Sequence, residues 1–483
     1  MCLAGATVRA AEFHVSPIGR PSGPGTQAQP YDLVTALSDP IGKPGDTFWL
    51  HEGIYPIGHL DISSIHGAPG RPITFRQAPG ERAQVVGSLI IESEIGYLVF
   101  RDFELYSGEI QRMSRQSGVG FKPTDIPNHV EGIQVGAPNI SFINLIVHDS
   151  VASAFYTAQE AANTLIYGCL VYNTGWASPD NAEGHSFYLQ GPGEISDCVA
   201  FSTTGANFHI YANGPGWSLR NLMVDGNVAF GAGTLQQVRS YRDWIVGVDK
   251  PSTIADNIVL KNNMGYVVNN TTTLTQVQIG RENMNGTIVL SSNYWPQGLV
   301  LNNWSSAIVS GNVIAPQNSD PVVDLEQNLT KLTGQWNNNY YYSGSSKRAI
   351  FRTGSTGNSF ADWKKKTGYD ADSFCTPGRL KGTTAFVRPN RYEPGRANIV
   401  VYNWDNLDKV AVDVRPVLNA GTAYEVRNAQ DFFAPPVLSG IFDGQPLQLP
   451  MTGLTVAKPM APFRTPAPTG PTFNVFVLLP KTK

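Results

Sequence analysis

Eight positions recur at intervals that only a stacked architecture explains: Asn144, Cys169, Cys198, Asn227, Asn263, Asn293, Asn312 and Asn339. The local texts are NLIV, CLVY, CVAF, NVAF, NMGY, NYWP, NVIA and NYYY, separated by 25, 29, 29, 36, 30, 19 and 27 residues. A repeat of this length built from short strands is the signature of a solenoid, in which each coil buries its apolar side only against its neighbours. A solenoid presents a long face, and function must sit on that face.

Composition agrees. Only 15% of the 483 residues are charged and 41% are hydrophobic, with 48 glycines, which suits a turn-rich β protein with a large core. A net charge of −3 without a basic stripe argues against a nucleic-acid partner. No apolar run approaches the length of a membrane span. Residues 1–11 read as a residual signal peptide, with small residues at Val8 and Ala10, so the protein is expected to be secreted or periplasmic; a flexible terminus is the other reading. Cys169 and Cys198 occupy one column a coil apart and are expected as stacked thiols, although strand spacing also permits a disulfide.

Residues 12–345 carry the repeat. A short amphipathic helix at 31–38 is placed to cap the first coil. Two stretches exceed the rhythm, Ser107–Val130 and Ala232–Lys250, and insertions in a solenoid map to loops that rim its binding face. Residues 346–385 read as a connecting segment with a short helix, and 386–483 as a β-sandwich.

The text PGDTFWLHEGIY (44–55), the N-x-apolar ladder and GHSFYLQG (184–191) together resemble the right-handed parallel β-helix superfamily of pectate and alginate lyases, polygalacturonase-type hydrolases, epimerases and tailspike enzymes. The resemblance covers residues 13–345 and implies an all-β fold: a right-handed parallel β-helix of about ten coils with an N-terminal capping helix, then a β-sandwich domain. It does not choose a reaction, because many chemistries share this fold. The C-terminal part is similar to the β-sandwiches appended to many carbohydrate-active enzymes.

Aligning GIQVGAP (132–138), AFYTAQE (154–160), SFYLQGP (186–192) and HIYANGP (209–215) sends Ile133, Phe155, Phe187 and Ile210 inward. The outward columns are then Gly132, Ala154, Ser186, His209; Gln134, Tyr156, Tyr188, Tyr211; and Gly136, Ala158, Gln190, Asn213. Aromatic faces pack on the C–H side of a sugar ring and amides bond its hydroxyls, so Gln134, Tyr156, Tyr188, Gln190, Tyr211, Asn213 and nearby Trp176 form the expected substrate-binding set. A structural tyrosine stack under a covering loop is the alternative.

Between Lys122 and Arg220 there is no Lys or Arg, while acids are frequent. That favours a glycoside hydrolase with paired carboxylates, Asp180 and Glu183 first, Asp149 and Glu160 as alternates. No cofactor is required in this reading, and Ca²⁺ enters only if the substrate is anionic. The second reading is a polysaccharide lyase or epimerase on a uronate polymer, with His185 or His209 and Tyr188 or Tyr211 as base and acid. Arg239, Arg242 or Lys250 would then neutralise the substrate carboxylate. A third is a non-catalytic glycan-binding β-helix. In each case the partner is a polysaccharide or oligosaccharide and the protein is expected to act as a monomer.

Overall fold

The computed structural model describes residues 10–212, 214, 216–248, 250, 252–268, 273–326, 332–345 and 350–481. The stretch expected to be a signal peptide lies almost wholly outside them.

Parallel strands stack rung upon rung into a right-handed parallel β-helix with three faces. The first face is a twelve-stranded sheet running from Glu12–Val15 to Thr333–Asn337. The second and third faces join into one 22-stranded sheet because Ala83–Ile91 spans both, pairing Gln84 with Glu104 on one and Leu89 with Ile133 on the other. Phe48, Phe75, Phe100 and Phe142 stack inside the first face at centroid separations of 4.7, 5.7 and 5.4 Å. Phe155, Phe187, Phe208 and Trp244 do the same inside the third, at 5.3, 4.9 and 4.2 Å. These distances bracket the ~4.8 Å rung spacing that hydrogen bonding between strands imposes.

The corner between first and second faces explains the sequence repeat. One residue per coil takes the left-handed conformation there: Asp102, Asn144, Gly168, Asp197, Gly226, Asn262, Ser292, Gly311 and Asn338. The residue after it points into the corner. Asn263 donates from Nδ2 to Asn293 Oδ1 at 3.0 Å, Asn293 to Asn312 at 2.9 Å and Asn312 to Asn339 at 3.0 Å, while each also reaches a carbonyl of a neighbouring coil. Cys169 and Cys198 hold the same column as buried free thiols. Asn144 does not. It is the left-handed residue itself, and Leu145 fills the ladder position, since Leu170 N bonds Leu145 O as Val199 N bonds Cys169 O. Asparagine suits both adjacent sites, one for its tolerance of positive φ and one for its amide, so its identity alone does not separate them.

Asn293→Ala removes two amide donations and leaves Asn263 N and Nδ2 without their shared acceptor. With each buried bond worth ~1 kcal/mol and orphaned donors costing more, a loss of about 3–4 kcal/mol is expected in a urea titration.

The ends are closed by helices. Leu33–Ser38 is capped by Asp32, which accepts from Thr35 N at 2.9 Å, and buries Leu33, Ala36 and Leu37 in the main core. At the other end Phe360–Thr367 inserts fully buried Trp363 against Phe351 and Trp336. The asparagine ladder finishes on Asp370, which accepts from Asn339 Nδ2 at 3.1 Å, Tyr341 Oη at 3.0 Å and Trp363 Nε1 at 2.8 Å. Segment 346–385 is therefore more than a connector. Phe351–Thr353 and Phe374–Thr376 extend the parallel sheets beyond residue 345.

Beyond it, an antiparallel sheet takes the order Thr383–Pro389, Ala397–Asn403, Phe473–Pro480, Ala423–Asn428, Leu438–Ile441. A two-stranded sheet, Lys409–Val412 with Leu447–Pro450, shares a core with it through Ile399, Val401, Val410, Leu449 and Phe476. Within ANIVVYN the stretch Ile399–Tyr402 is apolar without alternation because both of its sides are buried. Val400 and Tyr402 lie against the second face of the helix, where Tyr172, Phe201 and Phe230 point outward. That outward stack continues Tyr106 and His148 at 5.0, 5.0, 5.3 and 5.0 Å.

Candidate active site

The third face carries the outward tyrosines, and strand register defines their column. Gln134 pairs with Tyr156, Tyr156 with Tyr188, and Tyr188 with His209. The fourth strand thus sits two residues from the expected alignment: Phe208 pairs with Phe187, Ile210 with Leu189. A slip of two keeps every side chain on its proper face, so alternation alone is blind to it. The consequence is chemical. His209 replaces Tyr211 in the column, and Asn207 takes the place beside Ser186, accepting from its Oγ at 3.0 Å.

Tyr188 stands at the centre. Tyr156 meets it edge-on at 5.5 Å, and His209 stacks on it at 4.7 Å. Tyr211, itself buried, stacks behind His209 at 4.9 Å with the Arg281 guanidinium 5.3 Å above its ring. Gln190, buried in the next column, bonds the Tyr156 phenol. Burial, together with the charges of Glu183 and Glu131, raises the Tyr188 hydroxyl well above the ordinary phenol value, so it stays protonated.

The histidines form a directed chain. Ala206 N donates to His185 Nδ1 at 3.0 Å, so the proton of neutral His185 lies on Nε2, which reaches His209 Nδ1 at 3.0 Å. His209 must then carry its own proton on Nε2. Burial pushes His185 down to about 3, and burial, His185 and Arg281 push His209 well below its ordinary value. Both imidazoles are neutral at pH 7. His209 is thus a hydrogen-bond donor at the column, not the base foreseen from sequence.

Two carboxyls flank the tyrosines. Glu183 lies 3.9 Å from His185 Nε2; burial raises its pKa, and Arg239 opposes the rise. Glu131, half-buried, accepts from Ser153 N, and burial with the nearby Glu183 charge pushes it up to about 7. Raised above its unfolded value, Glu131 costs stability as pH climbs from about 4.5 through 7. Glu131→Gln is therefore expected to raise the melting temperature at pH 8 and not at pH 4.5, a gain on the order of 2 kcal/mol.

Arg239 arrives from the second insertion. Its Nη1 donates to Asn181 Oδ1 at 2.9 Å, and its guanidinium lies over Tyr241 and Phe121, at 5.5 and 5.0 Å. Arg281 had no sequence signal. It enters from a later coil and meets the site only through stacking of rungs.

The remaining expected residues are elsewhere. Asp180 is exposed, and its carboxylate accepts from Gly118 N at 2.6 Å, Ser117 Oγ at 2.9 Å and Ser178 Oγ at 3.0 Å, which hold its pKa low. It ties the first insertion to the hairpin Trp176–Ala177/Ala182–Glu183 and is not a protonated acid poised to donate. Asp149 is buried, paired with Arg112 and His148, on the second face under Met460. Glu160 is exposed, and its charge reaches Tyr156 from beyond the column. Trp176 is buried, with His129 edge-on at 5.2 Å and Ile126 and Val151 around it, so it supports the loop and offers no platform. Asn213 lies outside the described residues. Among the described residues no group of three or more histidine, cysteine or carboxylate side chains is arranged to hold a metal ion.

No protein-family model matches the chain, and no curated protein matches it in sequence. Among solved structures, the chain is similar to the pectate lyase Pel9A at 15% identity, covering 67% of this chain and 80% of that one with a TM-score of 0.36. A rhamnogalacturonan lyase is similar at 13% identity over 68% and 87%, with a TM-score of 0.38. A GH136 lacto-N-biosidase from Eubacterium ramulus is similar at 10% identity over 77% and 68%, with a TM-score of 0.40.

Proposed function

We propose that the protein cleaves a uronate-containing polysaccharide by β-elimination in the groove over Tyr156, Tyr188 and His209. The observation that carries this reading is the convergence of Arg239 and Arg281 on the histidine–tyrosine column. The hydrolase expectation rested on a groove free of basic residues, and folding supplies two from outside the sequence window that seemed bare. A guanidinium beside a neutral imidazole donor suits a carboxylate whose charge grows as the C5 proton leaves.

In this reading Arg281 and His209 Nε2–H hold the uronate carboxylate. Glu183, whose raised pKa makes it a stronger base, takes the C5 proton. The Tyr188 hydroxyl, kept protonated by its surroundings, donates to the leaving glycosidic oxygen. His185 positions His209 by holding its tautomer.

A second reading has its own support: Glu131 near 7 as general acid and Glu183 as nucleophile or water-activating base, a glycoside hydrolase. One assay separates them. Neutral and uronic polysaccharides are incubated with the protein, and reducing ends and ultraviolet absorbance are followed together. Elimination yields both signals in step; new reducing ends without absorbance overturn it in favour of hydrolysis.

A further inference from the structure

Next to Glu131, toward the N-terminal coils, lies a cavity of about 230 Å³. Its walls include Pro56, Val86, Val130 and Val151, its polar groups include Glu131 and Ser88, whose Oγ lies 2.6 Å from His59 Nδ1, and among the described residues no lysine or arginine lines it. The first insertion supplies Val130, so the cavity is built by the segment that broke the repeat. At the other end of the column stand Arg281 and Arg239. The groove is therefore electrically asymmetric along the helix axis: a carboxyl and apolar walls at one end, guanidinium groups at the other.

The rungs set the scale. From the Ile133–Val135 strand, whose preceding residues Glu131 and Gly132 line the cavity, to the His209 strand is three rungs, about 14 Å. One saccharide unit at the cavity and another at His209 thus fit one chain lying along the axis. A second uronate in the cavity would bring its carboxylate against Glu131 with no lysine or arginine there to offset the repulsion, and the His59 imidazole is already held by Ser88. A neutral ring would meet apolar walls with its C–H faces and Glu131 and Ser88 with its hydroxyls.

We infer that this cavity is a subsite for a neutral hexosyl or deoxyhexosyl unit, and that the substrate is a mixed polymer in which such a unit lies near the uronate. The inference rests on the reading of the groove as a saccharide site, not on which bond-breaking chemistry operates there.

The test measures binding, so it stands apart from the elimination assay. Tetrasaccharides of pure hexuronate and tetrasaccharides alternating hexuronate with neutral hexose or deoxyhexose are titrated calorimetrically into Glu183→Gln protein. The alternating ligand is expected to bind at least about tenfold tighter. Val86→Trp, filling the cavity from a partly exposed position, is expected to erase that advantage and leave pure-hexuronate affinity within about twofold. Val130→Trp fills the same space from the loop and decides the matter if Val86→Trp lowers the melting temperature. Equal or tighter binding of the pure hexuronate, or a cavity-filling variant that weakens both ligands alike, overturns the inference. Absence of an unsaturated product in the earlier assay would remove the elimination chemistry and leave this preference to stand or fall by itself.

Discussion

Glu183→Gln is expected to lower kcat by about 10²–10⁴ with little change in KM, because the variant keeps the shape of the groove and loses only the proton acceptor. The residual activity should also lose its acid limb. In the wild type, burial holds the Glu183 pKa above the ordinary carboxylate value, so kcat rises with pH as this group ionises. A glutamine has nothing to ionise, and the profile should flatten on that side. Glu131→Gln is the informative companion. Under elimination it perturbs a neighbouring subsite and leaves turnover within about tenfold; under hydrolysis it removes the general acid and costs as much as Glu183→Gln. A Glu183→Gln protein with wild-type kcat would exclude both schemes.

Arg112→Ala should cost about 3–5 kcal/mol of stability, the loss typical of a buried ion pair that keeps one partner. The Arg112 side chain is fully buried within the first insertion and donates to Ser150 O at 3.1 Å, Asn173 O at 2.8 Å and Gly175 O at 3.2 Å, as well as to Asp149. Asp149 in turn binds His148, whose other nitrogen meets Glu104 at 2.9 Å, and Glu104 receives Arg82 Nε at 2.8 Å. Burial alone would lower His148, but hydrogen bonds to Asp149 and Glu104, and their charges, win and raise it. The stabilisation from that raised value is fully present below pH 6.5 and fades as pH rises through the folded-state pKa. Urea titrations of wild type and Arg112→Ala at pH 6 and pH 9 check both statements: a large gap at each pH, and a wild type that weakens toward pH 9.

Much of this was legible from residue spacing. The corner column announces the coils because stacking one asparagine on the next needs the same residue type at each turn, and that repeats in sequence. The faces follow from strict alternation. What alternation cannot carry is register. The strand Phe208–Ile210 slid by two and exchanged Tyr211 for His209, and Asn144 proved to be the turn residue beside the ladder. Asp180 and Trp176 were drawn to the site by type, a carboxylate and an aromatic near a loop. Only folding shows that one accepts three hydrogen bonds in the loop and the other is buried beneath it. Arg281 is the opposite case: far along the chain, near in space, and silent until the rungs are stacked.

The aromatic stack on the second face has a further consequence. Tyr172, Phe201 and Phe230, continuous with Leu170, Val199 and Val228, form an apolar strip that the C-terminal sheet and its loops cover. A shortened protein ending near residue 380 would present that strip to water, a patch of the kind that drives self-association. The C-terminal sheet therefore behaves as the fourth wall of the solenoid, so the two halves should melt together in one calorimetric transition.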